Sequence, residues 1–148
     1  MKIDLQNRTK PLSGTIDYYW FENKRIGLEC TLFHRILIPL EPFDSRLEYI
    51  HQPEDTLVYI DWINLNLEDP DQLDGVTLSY LEFEDMEASV YIGAAHNPID
   101  IKKLTLRRIS ENKYHLEADM FVDFSHEGVA ENEDFNIEIE VEFVGEKK

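Results

Sequence analysis

The chain has little or none of several features that mark common protein classes. Its 148 residues include one cysteine, Cys30, and six glycines. A single cysteine excludes an intramolecular disulfide and leaves a cysteine-based zinc site without most of its ligands, so we expect a reducing, cytoplasmic environment. Residues 1–12 lack the apolar core of a signal peptide, and no later run is long enough to span a bilayer. We therefore expect no membrane partner.

Motifs that carry catalysis or hold cofactors are also missing. The sequence has no GxSxG elbow, no Gly-rich phosphate loop and no Cys and His nucleophile signature. Its five histidines have no HxH, HxxxH or HExxH spacing, which indicates surface or turn positions. Residues 68–75, EDPDQLDG, do not have the ligand spacing of an EF-hand, and they indicate a solvated acidic turn. We expect no enzyme activity, no cofactor and no metal.

Basic residues are missing from a long central part of the chain. Residues 47–101 contain no Lys or Arg, and residues 54–100 contain twelve acids. Residues 114–148 add eleven acids against two bases, whereas residues 101–113 hold five bases and one acid. The net charge of −17 is thus concentrated in two blocks, although charge that serves only solubility is more easily spread evenly. Such a field repels nucleic acid and anionic lipid and attracts cationic partners.

The clearest pattern that is present is the alternation in residues 135–144, FNIEIEVEFV. It predicts a β-strand with an apolar face and a solvated face that carries Glu138, Glu140 and Glu142. Residues 101–109 and 114–124 alternate in the same way, and together the three segments predict a meander. The acids of its middle strand would face Lys103 and Arg107 on one side and the three glutamates on the other, where like charges destabilise a sheet.

The rest of the chain also reads as short strands. Residues 15–21 and 25–33 predict a hairpin with Cys30 in the core, and residues 36–43 predict an edge or crossover segment because prolines interrupt it. Residues 44–52 suggest a short helical turn, and Asn97 with Pro98 suggests a turn. The apolar face changes phase at Trp62 and again at Tyr80, which indicates bulges or bent strands in residues 57–67 and 76–83.

No stretch shows sustained helical periodicity. We therefore predict one mostly all-β domain over residues 1–148. It would be an antiparallel β-sandwich or a partly closed barrel with hairpin and meander connections, and with at most one or two short helices.

These features favour an acidic module that binds a basic protein and no nucleic acid. The candidate contact residues are acids of the base-free block and of the last strand: Asp69, Asp71, Asp74, Glu82, Glu84, Asp85, Glu87, Glu138, Glu140 and Glu142. A small, acidic chain without catalytic motifs resembles, in general character only, the bacterial immunity proteins that neutralise nuclease toxins. That resemblance implies steering of a basic toxin and occlusion of its active-site surface.

Two other functions stay open at this point. One is a small-ligand-binding β-barrel, or an enzyme of that form, with an interior pocket lined by residues such as Trp62, Tyr80 and Phe121. The other is acidity that only maintains solubility, as in salt-adapted proteins.

Overall fold

Seven strands close into a β-barrel. The computed structural model describes residues 1–148, with strands β1 (Gly14–Asn23), β2 (Leu28–Pro39), β3 (Leu57–Ile63), β4 (Thr77–Leu78), β5 (Glu87–Ile92), β6 (Ala95–Ser110), β7 (Lys113–Val122) and β8 (Glu133–Glu146). The hydrogen-bonded order is β6-β5-β3-β2-β1-β8-β7, and β7 pairs again with β6. Strand β4 pairs with the second half of β6. The prediction of an all-β, barrel-like fold is confirmed.

The barrel is mixed, because β1 and β8 run parallel while the other pairs are antiparallel. The helical content is one short helix, α1 (Leu5–Arg8), and one 3-10 turn, Lys24–Ile26. The backbone N–H groups of Asp4 and Leu5 donate to the buried Glu133 carboxylate at 3.0 and 2.6 Å, which fixes α1 to β8. With four residues in α1, the structure contains no helix that could span a bilayer.

The predicted meander β6-β7-β8 is present, and part of the predicted charge pairing occurs in it. Glu117 lies opposite Glu138, and Lys103 lies opposite Asp119 on the other side of β7. The apolar positions of these strands point inward and join a cluster of 28 buried residues that fills the barrel. The sequence also predicts that the apolar face changes phase at Trp62 and at Tyr80, and these two predictions have different outcomes.

The change of phase at Trp62 marks a β-bulge, as predicted. Ile36 pairs with Ile60 but His34 pairs with Ile63, so β3 carries one extra residue. Trp62 has a φ of 56°, and its ring lies on the outside of the barrel against Tyr19, Phe21 and Phe33. The change of phase at Tyr80 is not a bulge, because β4 ends at Leu78 and the following residues form turns.

An interior pocket lined by Trp62, Tyr80 and Phe121 does not form. Tyr80 is exposed, and the other two are half-buried. The ring of Phe121 lies under the ammonium group of Lys102, and the ring of Trp62 packs on outer-face aromatics. The bulge turns Trp62 outward, the end of β4 leaves Tyr80 exposed, and Phe121 lies on the outer face of β7 between the buried Met120 and Val122, so that expectation is wrong.

Three expectations for residues 25–52 are also wrong. Cys30 and Ile26 are exposed, because the β1–β2 hairpin continues past the last pairs that β1 makes with β8 and β2 makes with β3. Residues 36–39 belong to β2, which lies between β1 and β3, and Pro39 ends that strand without breaking it. Residues 44–52 form no helix; Ile50 N–H donates to Leu47 O in a single turn.

The turn expected at Asn97 and Pro98 lies earlier, at Gly93 and Ala94. Their φ angles are 66° and 59°, which suit a tight two-residue hairpin turn. Asn97 is fully buried inside β6, and its Nδ2 donates to the carbonyls of Val90, Ile92 and Ala95. The amide side chain therefore satisfies backbone groups beside the hairpin and does not form the turn.

Candidate functional site

All ten predicted contact residues are exposed. They form three groups, which we name acidic loop 1 (residues 68–75), acidic loop 2 (residues 79–87) and the β8 row (Glu138, Glu140 and Glu142). The first two groups come from the base-free block, and the third comes from the outer face of β8.

Acidic loop 1 is fixed across one end of the barrel. His34 Nε2 lies 2.8 Å from Pro70 O, and Gly75 N–H donates to Leu106 O at 2.9 Å. Asp74 Oδ1 accepts from Arg108 N–H at 2.8 Å, and Leu73 is fully buried. The loop therefore presents its carboxylates from a rigid base.

Two aspartates of acidic loop 1 interact with each other. A side-chain hydrogen bond that protonated Asp71 donates to the Asp69 carboxylate raises the pKa of Asp71, and desolvation and the negative charge of Asp69 add to the increase, while the charge of Arg108 opposes it. The raised pKa of Asp71 thus reflects the negative charge that is crowded around it.

Acidic loop 2 lies beside the end of β3. Tyr80 N–H donates to Ile101 O at 2.8 Å, and successive turns bring the chain to Glu87, which lies opposite Asp61. A cleft of about 290 Å³ separates this loop from the bulge, and it is lined by residues that include Trp62, Asn64, Glu82, Glu84 and Asp85.

Acidic loop 1 follows the end of β3, at Ile63, in the chain. The next residue, Asn64, lines the cleft together with acidic loop 2, so both loops flank the same end of β3. Tyr80 and Leu81 are exposed next to the carboxylates. The two loops that carry seven of the predicted residues therefore lie on either side of the short strand β4 in the chain. We call the two loops together the acidic end.

The β8 row lies on a different side of the barrel. Strand β8 is separated from β3 by β1 and β2, and from β5 by β6 and β7. Glu142 lies opposite Lys113, Glu140 opposite His115 and Glu138 opposite Glu117. The row therefore does not form one continuous contact surface with acidic loop 2.

The β8 row also has a neighbour that the sequence pattern did not show. His115 Nε2 lies 3.2 Å from Glu117 Oε1 and 3.0 Å from Glu138 Oε1. Among the ten predicted residues, Glu138 is the one whose carboxylate lies within 4.0 Å of a basic side chain. Glu117 and Glu138 lie directly opposite each other, as expected, but the imidazole of His115 lies between their carboxylates.

A buried polar network that the sequence did not show covers the outer face of β1, β2 and β3. The buried Asp61 carboxylate accepts from Tyr19 Oη at 2.7 Å and from Tyr59 Oη at 2.5 Å. Burial raises the pKa of both phenols, and the hydrogen bond and charge of Asp61 raise it further. Next to this group Arg35 forms a two-point ion pair with Asp17, at 3.1 and 2.5 Å.

Two adjoining depressions lie on the outer face of β3, β5 and β6. Their volumes are about 300 and 550 Å³, and both are lined by Tyr59, Ser89 and His96. Tyr91 borders the smaller one, with its ring centroid 4.8 Å from that of His96. We name them together the outer cleft. In the sequence, the signal for this cleft is the small residue Ser89, which lies between larger residues on the solvated face of its strand. The residues beside it on neighbouring strands depend on the strand register, which the sequence pattern does not give.

The acidic end supplies exposed carboxylates beside exposed aromatic and aliphatic side chains, a combination suited to a cationic protein surface. Comparison of the chain with known protein families, curated proteins and solved structures finds no match.

Proposed function

We propose that this chain is an acidic protein-binding module whose acidic end binds a basic protein. The observation that carries the proposal is that the seven predicted carboxylates of these two consecutive loops are all exposed and that none of them takes part in an ion pair. Unpaired like charges on one surface repel each other, and a cationic partner removes that repulsion when it binds.

The partner class that we propose is a nuclease-like bacterial toxin. A surface that holds nucleic-acid phosphates is rich in Lys and Arg, and the same surface attracts carboxylates. The negative field would speed encounter, and the bound module would occlude the basic active-site surface. Support also comes from the rigid attachment of acidic loop 1 through His34, Gly75 and Asp74, because a preorganised surface loses less entropy on binding.

Co-expression with the product of the neighbouring reading frame tests this function. The test variant is E82Q/E84Q/D85N/E87Q, and the matched control is E41Q/E48Q/D55N/E127Q, which removes the same residue types from exposed positions elsewhere. We expect the neighbouring product to stop growth, and the wild-type chain and the control to restore it. The test variant should fail to restore growth.

Rescue that is equal for the two variants would contradict a role for the acidic end. A neighbouring product that is harmless, or that the wild-type chain does not counteract, would contradict the toxin assignment. Asp74 is left unchanged in both variants because it holds the backbone N–H of Arg108.

A second candidate function is binding of a small ligand in the outer cleft. Ser89 leaves a depression between Tyr59 and His96, and Tyr91 supplies an exposed aromatic wall. Soaking crystals with a library of aromatic fragments tests this: occupancy in the wild type that Ser89→Phe abolishes supports it. An empty outer cleft in the wild type contradicts it.

A further inference from the structure

His115, Glu117 and Glu138 form the one cluster of three metal-ligating side chains in this structure. One ligand atom from each lies within 4.8 Å of the others. Glu117 is two residues after His115 on β7, and Glu138 lies directly opposite Glu117 on β8. We name these three residues the His115 cluster. Nothing in the proposed function requires it, although Tyr114, the neighbour of His115 on β7, donates from its hydroxyl to Asp71 O of acidic loop 1 at 3.2 Å.

The strand register explains why the three side chains meet. Residues two apart on a strand point to the same face, and directly paired residues on neighbouring antiparallel strands have Cβ atoms about 4.5–5.5 Å apart. Because β7 pairs with β6 as well as with β8, it lies inside the closed sheet and cannot shift without breaking both ladders. The His115 cluster is therefore built on rigid elements.

The charges in the cluster favour a cation. Two carboxylates that face each other across neighbouring strands repel, and the imidazole nitrogen of His115 is placed between them. Only about a fifth of the His115 side chain is exposed, whereas the side chains of Glu117 and Glu138 are mostly exposed. The nitrogen is thus held in place while both carboxylates stay free to adjust around an ion.

We propose that the His115 cluster is a binding site for a divalent transition-metal ion, with Zn²⁺ as the best fit. The ligand set would be His115 Nε2, Glu117 Oε1 and Glu138 Oε1. The nitrogen–oxygen separations of 3.2 and 3.0 Å match the spacing of neighbouring ligands around an ion at about 2.0–2.2 Å from each. One imidazole with two carboxylates suits zinc and its neighbours, while Mg²⁺ and Ca²⁺ prefer sites made of oxygen alone.

Two charged residues next to the cluster should change its affinity for a cation. Glu140 on β8 is the register partner of His115, and Arg107 on β6 is its partner on the other side. Glu140 adds negative charge that favours a cation, and Arg107 opposes it. Arg107→Gln should therefore strengthen zinc binding, and Glu140→Gln should weaken it less than loss of a direct ligand does.

Isothermal titration of the chelator-treated protein with Zn²⁺ tests the proposal. We expect one zinc ion per chain, and a loss of affinity of more than about tenfold in His115→Ala, because even loss of an outer-shell partner costs 10–100-fold. Glu117→Gln and Glu138→Gln should each weaken binding as well. His51→Ala, which removes another exposed histidine, should bind like the wild type.

Site-specific NMR separates this site from binding elsewhere on an acidic protein. Zn²⁺ should shift the ring resonances of His115 before those of the other four histidines, and Mg²⁺ at the same concentration should not. Circular dichroism checks that each variant is folded. Zinc binding that is unchanged in the folded His115→Ala variant, or no saturable binding in the wild type, would overturn the proposal.

Discussion

His34 donates from Nε2 to the carbonyl oxygen of Pro70 at 2.8 Å, and this bond joins the barrel wall to acidic loop 1. A carbonyl oxygen can only accept, so Nε2 carries the proton. Nδ1 is buried and has no hydrogen-bond partner. The neutral imidazole is therefore favoured in the folded chain, and the position of acidic loop 1 depends on the protonation state of this buried group.

This contact predicts sensitivity to acid. Burial lowers the pKa of His34, although the hydrogen bond to Pro70 and the charge of Asp17 partly oppose the decrease. The unfolded chain therefore takes up a proton on this imidazole more readily than the folded chain does. The contribution to stability is complete above the unfolded pKa of about 6.5 and is lost as the pH falls through the lower folded value.

Urea unfolding at pH 7.5 and pH 5.0 measures the effect. The wild type should lose more unfolding free energy over this interval than His34→Gln, whose side chain does not titrate. His51→Gln, at an exposed position, should behave like the wild type. Equal losses in the wild type and His34→Gln would show that the buried imidazole does not cause the acid sensitivity.

The network around Asp61 predicts sensitivity to alkali. The pKa values of Tyr19 and Tyr59 are raised by burial first and by Asp61 second, so the unfolded chain releases these phenolic protons at lower pH than the folded chain. Their contribution to stability is complete below the unfolded pKa of about 10 and declines above it. Thermal unfolding between pH 9 and 11 should show a steeper decline for the wild type than for Tyr19→Phe/Tyr59→Phe.

Tyr91→Phe is the control for that measurement, because Tyr91 is exposed. It should retain the steep decline of the wild type. A double variant that declines as steeply as the wild type would mean that these phenols are not the groups that titrate.

The ion pair between Asp17 and Arg35 should contribute far more to stability than a surface pair. The side chains of Asp17 and Arg35 are 9% and 17% exposed, whereas those of Asp134 and Lys102 are 62% and 51% exposed. Asp17→Asn leaves the guanidinium of Arg35 without its charged partner and should cost about 1.5–3 kcal/mol of unfolding free energy. Asp134→Asn should change the unfolding free energy far less, because both side chains are solvated. Similar costs in the two variants, measured by urea unfolding, would contradict this ranking.

Local alternation predicted those parts of the barrel in which neighbouring strands are also neighbours in the chain. The meander of β6, β7 and β8 and the bulge at Trp62 follow from side-chain order alone. The parallel pairing of β1 with β8 joins opposite ends of the chain, and no local pattern specifies it. Burial of Cys30 was predicted wrongly because the apolar pattern of its strand continues past the end of the barrel wall.

The candidate site was predictable to a similar extent. Charge counting found the ten exposed acids, because exposure of Asp and Glu follows from the cost of burying charge. It did not show that the β8 row is separate from acidic loop 2. It also missed the position of His115 between Glu117 and Glu138, which depends on the register of β7 against β8.

Cys30 offers a simple check of the hairpin that extends beyond the barrel. Because its side chain is exposed, a thiol reagent should modify it in the native chain about as fast as in the urea-unfolded chain. Protection of the thiol until global unfolding would mean that residues 19–33 pack against the barrel or against another chain.

The central claim is that the acidic end, more than the net charge of the chain, binds a basic partner. Amide NMR shifts on titration with a short oligolysine peptide test it most directly, with the E82Q/E84Q/D85N/E87Q variant and its matched control E41Q/E48Q/D55N/E127Q compared at low and high salt. The shifts should be concentrated in acidic loops 1 and 2, weaken strongly in the first variant but not in the second, and disappear at high salt. Shifts spread evenly over the barrel, with the same loss of affinity in both variants, would contradict the account.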